Sequence, residues 1–373
     1  MRTTEHLGPA ADRAKLLRRA ADRAKLRRER VATQLSGAMS DPAAVVRALL
    51  AVQAQDYRAS LWAIALRTPE GTEADVERAI EARAIVRTWP MRGTLHFVPA
   101  EDARWMLRLL APRVITKSAA RHRELGLDEA VFARAGAILE GALSGGRRLT
   151  RPALFALLEE HGIATASQRG VHVLGVLSMR GLLCHGPHEG KQPTFVLLDE
   201  WVPGGAALEG DEALVALARR YVAGHGPATT RDFAWWTGLP LGTARRALEL
   251  AGIVADEGGM HRGDATREGI PAPRVHLLPP FDEYTVGYQD RSAILDPAHA
   301  ARTRNGIMSP VVVIEGRIAG VWSRAAKKGE VVVRIELFAP VARSLHRELE
   351  RAAARYGAFL ACPARLDLTA HPS

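Results

Sequence analysis

The sequence predicts an α+β protein, mainly helical, in which groups of three helices are each followed by a hairpin before a strand-rich C-terminal part. Three observations carry that reading. Apolar residues recur at helical spacing behind capping residues from about 41 to 250. Strand-like runs come in pairs around turn residues, at 84–98 and again at 182–198. From about Pro271 the helical period gives way to short apolar runs separated by Glu315-Gly316-Arg317 and Lys327-Lys328-Gly329. A chain of 373 residues exceeds one ordinary core, so several small domains are expected.

The elements follow in order. Residues 1–30 form a basic N-terminal helix or arm with a near-duplication, Ala-Asp-Arg-Ala-Lys-Leu, at 11–16 and 21–26. In a first unit, 31–125, Asp41 caps a helix opened by Pro42, with Val45, Val46, Leu49, Leu50 and Val52 on its apolar face. Ser60 to Leu66 resumes an apolar helix, Thr72 caps another, and a hairpin turns at Pro90-Met91-Arg92-Gly93. A second unit, 126–203, has helices at 128–143 and 151–160, a candidate recognition helix capped by Ser167 and running to Met179, and a second hairpin. A third, 204–268, has helices at 211–223, 230–237 and 241–250, then a stunted hairpin around Gly258-Gly259. Three helices and a hairpin describe a winged helix, so the expectation is three tandem winged-helix modules. The remainder, 269–373, reads as a small antiparallel C-terminal β-barrel with a closing helix at 342–356.

Composition bounds the function. No apolar run approaches the roughly 20 residues that span a bilayer, and the N-terminus lacks the apolar core of a secretory signal. Two cysteines, Cys184 and Cys362, suit a reducing cytoplasm. His185 and His188 lack further ligands at a recognisable spacing, so no metal is expected. Net charge is +10, of which residues 1–32 carry +6. A polyanionic partner is therefore expected, with the placement of individual cations deciding where it binds.

The most unusual stretch is Val52-Gln53-Ala54-Gln55-Asp56, two amides at the end of an apolar helix. Together with Met91-Arg92-Gly93-Thr94-Leu95-His96 and Leu278-Pro279-Pro280-Phe281-Asp282-Glu283-Tyr284, it resembles the AlkZ-like family of winged-helix DNA glycosylases. The three motifs span most of the chain beyond residue 30. The resemblance implies a concave DNA-facing surface and excision of alkylated bases, N7-alkylpurines and crosslinks included, with no cofactor. It also implies that Gln53 and Gln55 are catalytic, in the branch that carries Gln rather than Asp at the later position. The partner expected is double-stranded DNA with alkylated bases, met by a cytoplasmic, nucleoid-associated monomer.

The chemistry is consistent with amides. A purine alkylated at N7 is already cationic and leaves as a neutral base. What remains is to aim a water at C1′ and tolerate an oxocarbenium-like centre, tasks of positioning and electrostatics. Two residues at i and i+2 share a face only in extended backbone, so the helix must end at or before Gln53. Asp56, Arg92 and His96 are candidate supporting groups, with Asp56 an alternative base. Arg169, Arg180, Arg317, Lys327 and Lys328 are candidate DNA contacts. Asp282 and Glu283 read best as a turn held by carboxylate-to-backbone hydrogen bonds. Trp62, Trp89 and Trp105 read as core, as do Trp235 and Trp236, with a module interface the alternative place for one of those two rings. The rival function is a winged-helix DNA-binding regulator without activity, since the fold alone says nothing of catalysis.

Overall fold

Helix α1 (Pro9–Leu35) carries the basic near-duplication, and its second half is packed into the protein. Arg27 donates to the Ala293 carbonyl at 3.0 Å. Arg30 is 2% exposed; it donates to the Pro227 carbonyl at 3.0 Å, pairs with Asp232 at 3.6 Å and lies 3.5 Å over the Tyr288 ring. This end of α1 is therefore a strut rather than an arm. The structure, a computed structural model, describes residues 9–36, 39–263, 272–304 and 306–369, without the side chains of 9–17 and 19. The side chains of the first copy of the duplication and the boundary expected at 268 lie outside what the structure describes.

Asp41 caps α2 (Pro42–Leu49) by accepting from the Ala44 N–H at 2.8 Å. The helix stops where Leu50 turns to a φ of 64°, a positive value incompatible with continuing the helical ladder. The chain passes through β1 (Val52–Gln53) into α3 (Tyr57–Ala65) and then α4 (Glu73–Glu81), whose start is fixed by a Thr72–Asp75 capping box. The hairpin β2 (Ile85–Met91) and β3 (Thr94–Pro99) follows, then a long helix, α5 (Ala103–Glu124).

Next come α6 (Glu129–Leu143), β4 (Leu149–Thr150), α7 (Arg151–Glu160), α8 (Arg169–Met179), the hairpin β5 (Leu183–Glu189) and β6 (Gln192–Leu197), and α9 (Leu198–Trp201). The expected Ser167 cap is absent. Ser167 and Gln168 both have positive φ, and α8 begins at Arg169. From Gly170 to Met179 all but Val171 and His172 are buried, so α8 is a core helix rather than an exposed reader of a groove.

Both hairpins belong to one sheet of order β1-β3-β2-β5-β6-β4, joined where Arg87 pairs with His185. Helices α10 (Gly210–His225), α11 (Thr230–Thr237) and α12 (Leu241–Leu250) pack on one another, and α10 packs on α1, α2 and α5. Gly224 lets α10 cross α2 closely, because a Cβ there would sit 2.2 Å from the Ala48 carbonyl oxygen. The expected third hairpin is a turn at Asp256 to Met260 with one bridge pair, Ala228 and His261.

The C-terminal part corrects the expectation of a small antiparallel barrel. It contains β7 (Val275–Leu278), α13 (Glu283–Val286), β8 (Val311–Ile314), β9 (Arg317–Lys327), β10 (Glu330–Leu337), α14 (Arg343–Phe359) and β11 (Ala364–Thr369). The sheet order is β11-β10-β9-β8-β7; β7 and β11 are open edges, and β11 runs parallel to β10. The reason is packing. Leu345, Leu349, Ala353 and Tyr356 of α14 cover one face, in a core with Leu277, Val312 and Val333. Val311 and Val313 point the other way, into a core with Tyr284 and Ile294. With both faces covered by other elements, the sheet has no need to curl onto itself.

Candidate active site

Gln53 lies in extended backbone, paired in register with His96 on β3, so the helix has ended before it as the spacing argument requires. The Ala54 N–H donates to the Leu95 carbonyl at 2.7 Å, which continues the pairing one residue further. Gln53 is half-buried and Gln55 exposed.

Both amides are oriented by donors. Gln53 Oε1 accepts from Arg92 Nη2 at 3.1 Å, and Gln55 Oε1 accepts from the Leu95 N–H at 3.1 Å. Those partners can only donate, which fixes the oxygen of each amide inward. Neither NH2 end has a hydrogen bond among the described residues.

Arg92 is at the hairpin turn with a φ of 57°, and its guanidinium also donates to the Trp236 carbonyl. Burial lowers its pKa, opposed by the nearby Glu283 charge. His96 is fully buried: its Nδ1 meets the Thr94 carbonyl at 2.9 Å and its Nε2 meets Arg92 Nη2 at 3.1 Å. A carbonyl requires Nδ1–H, leaving Nε2 as the acceptor from Arg92. Burial, helped by the Arg92 charge, pushes the His96 pKa down to about 3. The ring is therefore neutral.

Beneath the strand lies Glu283, fully buried on α13. One carboxylate oxygen accepts from the Gln53 N–H at 2.9 Å; the other accepts from Trp236 Nε1 at 2.8 Å and meets His225 Nε2 at 3.3 Å. Burial opposes its ionisation, but the His225 hydrogen bond and the charges of His225 and Arg92 outweigh it and hold the carboxyl below its ordinary range. From the other side, buried Arg87 donates to the Ala54 carbonyl through Nε at 3.1 Å and Nη2 at 2.9 Å. Burial lowers the Arg87 pKa to about 10.

The structure thus joins Gln53, Gln55, Arg92 and His96. Asp56 is adjacent, but one of its oxygens caps α3 by accepting from the Ala59 N–H at 3.1 Å. The candidate DNA contacts stand elsewhere. Arg169 is bound to the carbonyls of Ala164, Leu125 and Gly126, Arg180 donates through Nη2 to both carboxylate oxygens of Glu129, and Arg317 pairs with Asp296 at 2.8 Å. Lys327 and Lys328 are exposed at the β9–β10 turn. Of the paired tryptophans, Trp236 is buried, whereas Trp235 is 42% exposed and donates to the Val286 carbonyl at 3.2 Å.

Glu283 and Arg87 have site contacts that the sequence reading missed. Glu283 does bind backbone, as expected of that turn, but the backbone is that of the glutamine strand. For Arg87 the signal was an arginine in the middle of the apolar run Ile85-Val86-Arg87-Thr88-Trp89.

Comparison with known proteins gives a consistent picture. Residues 46–359 match the family model described as DNA glycosylase AlkZ-like. The chain is 30% identical over 310 residues to an interstrand DNA cross-link repair glycosylase of Streptomyces sahachiroi, covering 74% of this chain and 81% of the relative. The solved structure of the Streptomyces sahachiroi DNA glycosylase AlkZ superposes with a TM-score of 0.74 at 27% identity, over 92% of this chain and 98% of that one. The chain therefore belongs to the AlkZ-like family of DNA glycosylases.

Proposed function

We propose that this glycosylase excises N7-alkylated purines from duplex DNA, interstrand crosslinks among them, through a water that Gln53 and Gln55 aim at C1′. The observation that supports this best is the common orientation of the amides: each oxygen is held by a protein donor and each NH2 is left without a partner among the described residues. Each Oε1 retains a second lone pair. A water donating one proton to it turns its own lone pair toward C1′, while the NH2 groups bind the deoxyribose and phosphate oxygens of the lesion strand. The departing base is already cationic and leaves neutral, so no strong acid is required. The crosslink range follows the name of the Streptomyces sahachiroi relative.

In this reading the helix triplets act as winged-helix units that cup the duplex, and the chain works as a monomer. Lys327 and Lys328 reach phosphates, whereas Arg169 and Arg180 serve as scaffold. Family membership sets aside the regulator without activity.

The test is incubation with duplex DNA containing 7-methylguanine, followed by mass analysis of the released base. Single-turnover excision should fall by roughly 100-fold or more in Gln53→Ala and in Gln55→Ala. Wild-type rates in both variants would remove the glutamines from the mechanism, and absence of any released base from the wild-type protein would refute the substrate class.

A further inference from the structure

We infer that Arg87 is a positioning residue for the amide pair, holding the peptide that joins Ala54 to Gln55 and thereby setting the direction of the Gln55 side chain relative to Gln53. The inference rests on the reading of Gln53 and Gln55 as the working groups.

Strand β1 is only two residues long, and its ladder to β3 pairs Val52 with Phe97 and Gln53 with His96. One further backbone bond, from the Ala54 N–H to the Leu95 carbonyl, extends it. The Ala54 carbonyl, on the peptide leading to Gln55, takes no backbone partner in that ladder. Arg87 supplies one, with two guanidinium nitrogens at 3.1 and 2.9 Å. On the near side, Glu283 takes the Gln53 N–H at 2.9 Å. Two buried side chains of opposite charge thus grip the strand from Gln53 N to Ala54 O.

The cost of this arrangement argues for a purpose. Arg87 is 7% exposed on β2, an inner strand whose register neighbours are Phe97 and His185, and it makes no ion pair among the described residues. The Tyr57 ring lies 5.4 Å away, and the Asp56 charge favours the guanidinium without an ion-pair contact among the described residues. Burying a guanidinium without a carboxylate partner is expensive. A carbonyl at the surface end of a short strand could be satisfied by water without that cost. What a fixed planar donor adds is direction, because two parallel N–H groups on one oxygen fix the peptide plane, and a small misplacement of a reacting group is enough to cost about 100-fold.

The experiment is a double-variant cycle on the full chain, read by single-turnover excision of 7-methylguanine, duplex affinity and melting temperature. Arg87→Met keeps length and apolar shape while removing both donors. It should lower the excision rate by about 30- to 100-fold with duplex affinity unchanged within about twofold. Arg87→Lys, which retains the charge and one donor, should recover part of that loss. In Arg87→Met combined with Gln55→Ala, the rate should be no lower than in Gln55→Ala alone, because the group that Arg87 directs is gone. A residue serving only the fold would instead multiply the two losses and lower affinity and melting temperature together. A wild-type rate in Arg87→Met, or multiplied losses in the double variant, overturns the inference. If Arg87→Met does not fold, Arg87→Lys decides alone: a slowed rate at unchanged melting temperature supports the inference, and a wild-type rate overturns it. Wild-type rates in Gln53→Ala and Gln55→Ala would overturn the reading of the pair and this inference together, whereas their loss beside a wild-type Arg87→Met overturns this one alone.

Discussion

At the scale of the residue, the neutrality of His96 governs what Arg92 can do. A protonated ring would repel the guanidinium 3.1 Å away; the neutral ring accepts from it and leaves Arg92 free to hold Gln53. The same neutrality makes stability depend on pH. The pKa of His96 falls to about 3 and that of buried His276 to about 4, both from an ordinary 6.5 and both because burial disfavours the charged ring. Below pH 6.5 the unfolded chain binds protons that the folded chain refuses. The contribution is therefore complete above that value and is lost as pH falls toward the folded values. Between pH 7 and pH 5 the loss should be on the order of 1–2 kcal/mol for each ring. Urea midpoints measured at the two pH values check it; equal midpoints would mean that these rings are charged or solvated in the folded protein. The glutamines stood out in the sequence through the family resemblance rather than through the pattern of two amides after an apolar run, and the i, i+2 spacing required extended backbone for them to share a face. Arg87 and Glu283 were not legible in their roles, because each reaches the glutamine strand from a different element and contact of that kind leaves no local pattern.

At the scale of the element, the short helix α13 ties the C-terminal part to the site. Arg67 and Asp282 form a fully buried bidentate pair at 2.9 and 2.8 Å, and Asp282 caps α13 through the Tyr284 N–H at 2.9 Å. The next residue, Glu283, carries the bond to Gln53. Removing one partner of a buried pair leaves the other charge uncompensated, so Arg67→Met should destabilise the protein by about 3–5 kcal/mol. Combining it with Asp282→Leu should recover part of that, the capping bond remaining lost. Chemical denaturation measures both, and a loss under about 1 kcal/mol in Arg67→Met would show that the pair is dispensable. Elements with capping signals, such as α2 behind Asp41 and α4 behind Thr72, were readable because the signal is local. Helix α5 has Pro112 within it and no clean apolar stripe, and β11 returns as a parallel edge only after α14. Both are settled by tertiary packing, which is also why the barrel expectation failed.

At the scale of the whole molecule, the net charge of +10 exceeds what is free to meet DNA. Arginines are engaged repeatedly within the protein: Arg30, Arg67, Arg180 and Arg317 all pair with carboxylates, and Arg87 and Arg169 hold carbonyls. Lys327 and Lys328 make no ion pair among the described residues and stand together at an exposed hairpin tip. Cations that hold the fold together cannot also release counterions from a duplex, so the salt dependence of binding should report the second kind and not the first. Replacing both lysines by alanine should reduce the slope of log affinity against log salt by about 1.8, at roughly 0.9 for each phosphate lost. The reduction should be the same on undamaged and on alkylated duplex, since phosphate contacts carry no information about the base. Single-turnover excision at saturating protein should keep its rate, because the amide pair is untouched. An unchanged slope would move the phosphate-binding surface away from this hairpin.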